Sequence, residues 1–409
     1  IIILLGLVPG MPSFIFLTLG IAAGLAGYFL SKSADKKIAE AANEVSETIK
    51  ENDVNKEELN WDDVDQVDLV GLDIGYGLIP LVNPETGGQL LPRVKGVRKK
   101  LSAELGFLVQ PIRIRDNLDL EPDVYNIVMN GVIRGKGEIK IGQELAINPG
   151  QVHGSLEGTP TKEPAFGLDA VWIDPAQRDY ARTLGYTVVD PATAIATHLN
   201  TLLRNNASEL ISHDETQQLL DKVAERSPKL VEDLVPEKLS LATITKVLQN
   251  ILDESVSVRD MRTILEVLST ESSRTQDVEE LTAAVRPKLG RMIVQGLVDV
   301  DDNLPVMTLN PALEQMLNNI LQQSGSSQGL VIEPKLAESL ISALAKNTRE
   351  IEDQGSAAVL VVSPTLRPWL SKFIRHRLSD LTVLSYSEIP DDQAVDVVAT
   401  IDVDPSNEQ

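Results

Sequence analysis

The chain has 409 residues, of which 43% are hydrophobic and 4% aromatic, and its formal net charge at pH 7 is −23. This length predicts two to four domains with aliphatic cores, because a single core rarely grows beyond about 250–300 residues. The negative charge argues against nucleic acid as a partner, since phosphate binding needs a basic face. The absence of cysteine excludes disulfides, thiolate metal sites and cysteine nucleophiles.

The N-terminal stretch, residues 1–30, contains no charged side chain. As one straight helix it would be about 45 Å long, which exceeds the roughly 30 Å hydrocarbon core of a bilayer. The segment Pro9–Pro12 interrupts it, so we predict the end of one transmembrane helix, a turn, and a second span over about residues 13–30. The alternatives are a signal peptide, which needs basic residues before the apolar run, and a buried soluble helix.

Basic residues follow the apolar stretch directly, at Lys32, Lys36 and Lys37. By the positive-inside rule they predict that the rest of the chain lies in the cytoplasm. The chain does not begin with Met, and we expect it to be a fragment from which earlier membrane spans are missing.

Residues 31–68 predict an acidic linker, because they contain twelve Asp or Glu against five Lys. Within the linker, Trp61 is surrounded by carboxylates such as Glu58 and Asp63. An aromatic ring flanked by carboxylates is typical of a docking peptide, in which the ring supplies contact area and the charges supply orientation. Packing of Trp61 on its own domain is an equally good interpretation.

The rest of the chain predicts an α/β multidomain fold with four subdomains. Strand and helix patterns alternate as β-α-β-β at its start, a Gly- and Pro-rich insertion follows, a long helical region comes next, and the end again mixes strands with helices. Helices should begin after Asp190, Ser240, and Ser257 or Asp260, which are good N-caps. The predicted boundaries are residues 69–141 with 191–210 for subdomain 1 (α/β), 142–190 for subdomain 2 (β-rich insertion), 211–290 for subdomain 3 (helical) and 291–409 for subdomain 4 (α/β).

Catalytic motifs are scarce. The sequence lacks a Walker phosphate loop, and Gly75-Tyr76-Gly77 lacks the third glycine of a dinucleotide fingerprint. The four histidines are scattered without zinc-ligand spacing. We therefore expect no catalytic residue, cofactor or metal, and we expect docking rather than turnover. A membrane-tethered enzyme is the rival class.

Several short sequence motifs, spread in order along most of the chain, point to a particular protein family. One of them is Arg113–Leu118, which is followed by Tyr125 and Gly131. Together the motifs resemble the FlhA family of bacterial flagellar type III export-gate proteins. The other motifs are Val8–Pro12, Val97–Lys100, Ala146–Gly150, Pro164–Ile173, Ala196–Leu199, Pro228–Pro236 and Val258–Glu266.

The resemblance implies the last transmembrane helix and the cytoplasmic half of an export gate in the bacterial inner membrane. It implies a homo-oligomeric ring, generally a nonamer, that docks flagellar export chaperones with their substrates and takes part in substrate switching. Further implied partners are the export ATPase complex and other export-gate membrane proteins, with export driven by the proton motive force. The virulence (injectisome) export gate is the alternative within this fold.

The resemblance also implies two sets of site residues. Glu163, Phe166 and Thr197 match the family's chaperone-binding cleft, although Glu163 replaces an Asp, which keeps the charge and changes the reach. On its own sequence context, Phe166 is more often an ordinary core aromatic. The residues matching the linker that binds the neighbouring subunit are Glu58, Trp61 and Asp63.

Overall fold

The computed structural model describes residues 67–403 except 84, 86, 300–301 and 325–331. The chain divides into two compact units, residues 1–67 and 68–409, and the description below concerns the second. The predicted membrane segment, residues 1–30, lies outside the described residues, as does the predicted linker up to residue 66. Among the helices described, none combines the length and apolar character needed to cross a bilayer.

The first sheet has the strand order β2-β1-β3-β4, with β1 and β2 parallel and the other pairs antiparallel. The β-α-β-β order predicted here is confirmed. Gly106 ends α2 with a φ of 96°, and a Cβ there would lie 2.4 Å from the backbone nitrogen of Arg259. The elements are β1 (Val70–Ile74), α1 (Ile79–Val82), α2 (Leu90–Leu105), β2 (Arg113–Asp116), β3 (Val124–Met129) and β4 (Val132–Glu138).

The second sheet is antiparallel throughout, in the order β6-β7-β5-β8. It occupies the Gly- and Pro-rich region that the sequence indicated to be a β-rich insertion. A small core of its own lies between the sheet and α3, built from Ala146, Ile173, Ala181 and Val188. The elements are β5 (Glu144–Ile147), β6 (Thr159–Lys162), β7 (Asp169–Ile173), α3 (Arg178–Thr183) and β8 (Thr187–Val189).

A helical region follows, and side chains cap its helices at the positions that the sequence predicted. Asp190, Ser240 and Asp260 each accept the backbone N–H three residues on. Ser257 instead donates its hydroxyl to the carbonyl of Leu105 at the end of α2. The last helix runs through residue 290, so the predicted boundary between subdomains 3 and 4 falls within it. The helices are α4 (Pro191–Asn205), α5 (His213–Ala224), α6 (Pro228–Glu232), α7 (Leu241–Asp253), α8 (Met261–Glu271) and α9 (Val278–Gln295).

The third sheet is wholly parallel, in the order β11-β10-β9-β12. In β10, Val359 and Val361 join the main core, whereas Leu360 and Val362 join a second core beneath the last helices. Coverage of both faces is what a parallel sheet requires. The division into four subdomains stays a prediction. The elements are β9 (Leu304–Leu309), α10 (Pro311–Ser324), α11 (Pro334–Glu352), β10 (Val359–Val362), α12 (Arg367–Ile374), β11 (Thr382–Ser385) and β12 (Val395–Ile401).

Four charged side chains meet at the boundary between the helical region and the third sheet; Arg286, Arg367 and Glu388 are buried, and the side chain of Glu254 is 10% exposed. Arg286 of α9 lies 2.8 Å from Glu254 and 2.9 Å from Glu388, and Arg367 pairs with the same two carboxylates. Glu388 follows β11, and its carbonyl oxygen would lie 2.0 Å from a Cβ at Gly290, so this turn packs directly on the α9 backbone. Two guanidinium groups and two carboxylates thus neutralise one another and fix α9 against the sheet.

The buried cluster generates a stability prediction. Arg286→Met should lower the free energy of unfolding by ~3 kcal/mol, because it leaves two buried carboxylates with one cation. The matched control is Arg291→Met on the same helix, whose pair with Asp392 is exposed on both sides. Urea unfolding should show a large fall in the midpoint for the first variant and almost none for the second. Equal midpoints would contradict a structural role for the cluster.

Candidate functional site

A tight turn over residues 163–168 joins β6 to β7. The backbone N–H of Glu163 donates to the carbonyl of Leu168 at 2.8 Å, and that of Gly167 donates to the carbonyl of Glu163 at 2.9 Å. Gly167 has a φ of 71°, a conformation that glycine adopts without steric cost. These bonds define the path of the backbone on both sides of Phe166.

The carboxylate of Glu163 faces inward and completes this turn. One of its oxygens accepts the N–H of Ala165 at 2.9 Å, and the other accepts the N–H of Phe166 at 2.7 Å. Glu163 is only 2% exposed, whereas Phe166 is 65% exposed. Phe166 is therefore not the core aromatic that its sequence context favours. Direct contact between Glu163 and a partner would need its carboxylate at the surface, where this structure does not put it.

A buried tyrosine–histidine pair joins the first sheet to α4. The hydroxyl of Tyr125 on β3 and Nδ1 of His198 on α4 share a hydrogen bond of 2.8 Å. Burial lowers the pKa of His198, and the nearby Glu163 carboxylate opposes this only in part. Burial, together with the charge of Glu163, raises the pKa of Tyr125 well above its usual range. At neutral pH the pair is therefore a phenol hydrogen-bonded to an uncharged imidazole.

Two glycines of β4 make room for these rings. A Cβ at Gly135 would lie 2.9 Å from ring atoms of His198, and a Cβ at Gly137 would lie 2.6 Å from the hydroxyl oxygen of Tyr125. The pairing of β3 with β4 is irregular beside Gly135. Any side chain on this face of β4 would displace an aromatic ring.

The predicted cleft residues fall on two elements. Glu163 and Phe166 share the turn, and Thr197 is half-buried on α4, directly before His198. The charge of Glu163 partly opposes the lowering of the His198 pKa, but no hydrogen bond or ion pair is described between Glu163 and α4. Sequence reasoning gave no role to Tyr125 or His198, although the two glycines of β4 were a signal that large groups lay opposite. Glu58, Trp61 and Asp63 lie outside the described residues.

A second surface feature is an apolar groove between α2 and α5. It encloses about 590 Å³, and Leu108 on its wall is 60% exposed. The cationic side chains of Lys222 and Arg259 line it beside Phe107 and Leu219. Within the described part of the chain, no three His, Asp or Glu side chains are grouped closely enough to hold a metal ion.

These observations define a mixed α/β protein that carries an exposed aromatic turn and an apolar groove. The sequence model of the FHIPEP family matches residues 1–394, so the chain belongs to the FHIPEP family. The flagellar biosynthesis protein FlhA of Escherichia coli K12 is 44% identical over 398 residues, which make up 97% of this chain and 56% of that protein. FlhA of Bacillus subtilis 168 is 36% identical over 98% of this chain and 59% of its own length. The resemblance to the FlhA family is confirmed, and the chain spans little more than half the length of these relatives.

Solved structures share the fold. The CdsV protein of Chlamydia pneumoniae superimposes with a TM-score of 0.71 at 23% identity, covering 83% of this chain and 100% of that one. Nonameric EPEC SctV-C gives a TM-score of 0.66 at 22% identity, covering 83% of this chain and 99% of that one. The mixed α/β class predicted for this part of the chain is therefore confirmed.

The close approach of Gly137 to Tyr125 leads to a stability prediction, for which a second glycine of the chain serves as control. Gly137→Ala should destabilise the protein by about 1–3 kcal/mol, because the new methyl group meets a buried ring that cannot move aside. Gly96→Ala, at an exposed position of α2 with nothing within 4 Å, should instead stabilise the protein by about 0.5–1 kcal/mol. Urea unfolding compares the two, and a shift of the same sign in both variants would reject the steric explanation.

Proposed function

We propose that this chain is a component of the flagellar type III protein export gate in the bacterial inner membrane, with the described part in the cytoplasm. Membership of the FHIPEP family supports the proposal, as does 33–44% identity to FlhA proteins. Lower identity, 22–23%, to CdsV and SctV-C favours the flagellar gate over its virulence counterpart. The proposal includes two activities of the whole gate, namely substrate switching and export driven by the proton motive force. It also includes the transmembrane segment and the division into four subdomains.

The described part acts by docking export chaperones with their substrates, and the observation that carries this is the exposure of Phe166. An aromatic side chain that is 65% exposed on a hydrogen-bonded turn is an anchor already held in place, so little freedom is lost when a partner covers it. Thr197 on the neighbouring helix can extend the same surface. Such binding breaks no covalent bond and needs no cofactor, so we propose no enzymatic activity.

Removal of the anchor should weaken docking without unfolding the protein. Phe166→Ala should reduce affinity for a flagellar export chaperone at least about tenfold, which is typical of a hot-spot aromatic. Tyr180→Ala is the control, because Tyr180 is similarly exposed, at 59%, but lies on α3. Calorimetric titration measures both variants, and circular dichroism confirms folding. Unchanged affinity for Phe166→Ala, or an equal loss for Tyr180→Ala, would count against this docking site.

The chain also assembles into a homo-oligomeric ring in our proposal. The nonameric assemblies of EPEC SctV-C and of the EscV cytosolic domain support it, and a complex of CdsV with CdsO supports a further contact, here with the export ATPase complex. We assign the groove between α2 and α5 to the linker of the neighbouring subunit. Its apolar wall suits Trp61, and its rim cations, Lys222 and Arg259, suit Glu58 and Asp63.

Ring assembly should therefore depend on both sides of this contact. Trp61→Ala and Leu108→Ala should each shift the sedimentation profile of the detergent-solubilised chain toward smaller species, because each removes apolar contact area. Leu118→Ala is the control, since Leu118 is even more exposed, at 78%, yet lies on a loop outside the groove. An unaltered oligomer in both test variants would reject the linker contact.

A further inference from the structure

Strand β12 forms one edge of the third sheet, and its aliphatic side chains are largely uncovered. Val395 is 40% exposed, Val397 61% and Val398 50%, and only Ile401 at the end of the strand is buried. The strand at the opposite edge, β11, is buried at three of its four residues. A row of exposed aliphatic residues on an edge strand is a template on which another strand can pair.

The backbone of β12 also offers hydrogen-bonding groups on its outer side. Among the described strands, β9 alone pairs with β12, and the carbonyl of Ala394 accepts the N–H of Leu304 at 2.8 Å, so this carbonyl points toward β9. Successive residues of a strand direct their N–H and C=O groups to opposite sides, so those of Val395 and Val397 point away from the sheet. An incoming strand therefore finds free donors and acceptors before the register shift that separates Val397 from Ala399.

The chain around this edge is acidic. Residues 378–409 contain eight Asp or Glu and no Lys or Arg, and Asp396 lies exposed on β12 itself. Val395 and Val397 point to one face of the sheet and Asp396 to the other, because side chains alternate along a strand. Two copies of β12 placed edge to edge would bring like charges together, which is unfavourable between neighbouring strands. The charge therefore favours a partner strand that carries cations.

We propose that β12 is a docking edge for an extended, basic segment of a protein partner, which adds a fifth strand to the third sheet. In this segment aliphatic residues alternate with Lys or Arg. Its backbone bonds the outward groups of Val395 and Val397, its aliphatic side chains cover these two valines, and its cations lie on the face of Asp396. The docking edge is additional to the proposed chaperone site and does not include the Phe166 turn.

A synthetic peptide tests the edge directly. The probe is a dye-labelled peptide of eight residues in which Val alternates with Lys, and fluorescence anisotropy follows its binding to the 409-residue chain in non-ionic detergent. The probe should bind, whereas a peptide of alternating Val and Glu should not. N-methyl groups on the four central residues of the probe should weaken binding at least about tenfold, because they remove backbone donors. Equal affinity of the methylated and unmethylated probes would show charge attraction alone and overturn the proposal.

Substitutions on β12 provide the second measurement. Val397→Pro removes an outward N–H without breaking the ladder to β9, and it should lower the affinity for the probe at least about tenfold. Val397→Thr is the matched control, because it keeps that N–H and the branched shape, and its affinity should stay within about threefold of the parent chain. Circular dichroism checks the folding of both variants. A folded Val397→Pro variant with unchanged affinity would overturn the proposal, and if this variant does not fold, the methylated probe decides.

Two further results separate this edge from the other surfaces of the protein. Phe166→Ala should leave the affinity for the probe unchanged even where it abolishes chaperone binding, and a loss of probe binding in that variant would contradict a separate edge. Sedimentation gives the second result. A Val397→Pro chain that forms smaller oligomers, together with a parent chain that does not bind the probe, would show that a second copy covers β12 and would overturn the basic partner.

Discussion

The hydrogen bond between Tyr125 and His198 is the interaction on which the candidate site depends. Both rings are buried, and each would lose free energy if its polar atom had no partner. The bond needs space that exists only because Gly135 and Gly137 lack side chains. With the rings fixed there, α4, which carries Thr197, has one position against the first sheet.

Buried charge fixes the position of elements elsewhere in the protein. At the boundary between the helical region and the third sheet, two arginines and two glutamates are enclosed together. Such a cluster contributes little net stability compared with apolar packing, but it tolerates only one relative position of the elements that supply it. The same logic applies to Glu163, whose carboxylate accepts two backbone N–H groups and so specifies one shape of the turn. Charge inside this acidic protein serves to define geometry.

Local sequence signals predicted the elements well, because caps and apolar periodicity act over three or four residues. Asp190, Ser240 and Asp260 begin helices as expected. The resemblance supplied the positions of Glu163, Phe166 and Thr197 but not the directions of their side chains. The carboxylate of Glu163 is held by the N–H groups of Ala165 and Phe166. Tyr125 and His198, by contrast, form their hydrogen bond across 73 residues of the chain. Contacts over such distances leave no periodic pattern, and here only the two glycines of β4 indicated them.

The third sheet fills with its own side chains an edge at which other α/β proteins bind ligands. Its order places the first strand beside the last, and open parallel sheets commonly bind ligands beyond the carboxyl ends of their strands. Here the protein's own groups occupy that edge. Glu314 accepts the N–H of Ser363 at 2.6 Å and the hydroxyl of Tyr386 at 3.4 Å, and Asn310 donates to Asp402 at 2.8 Å. A carboxylate already held by donors from two strand ends repels an anionic ligand such as a phosphate, so the edge where many α/β proteins bind their ligands is used here to hold α10 on the sheet.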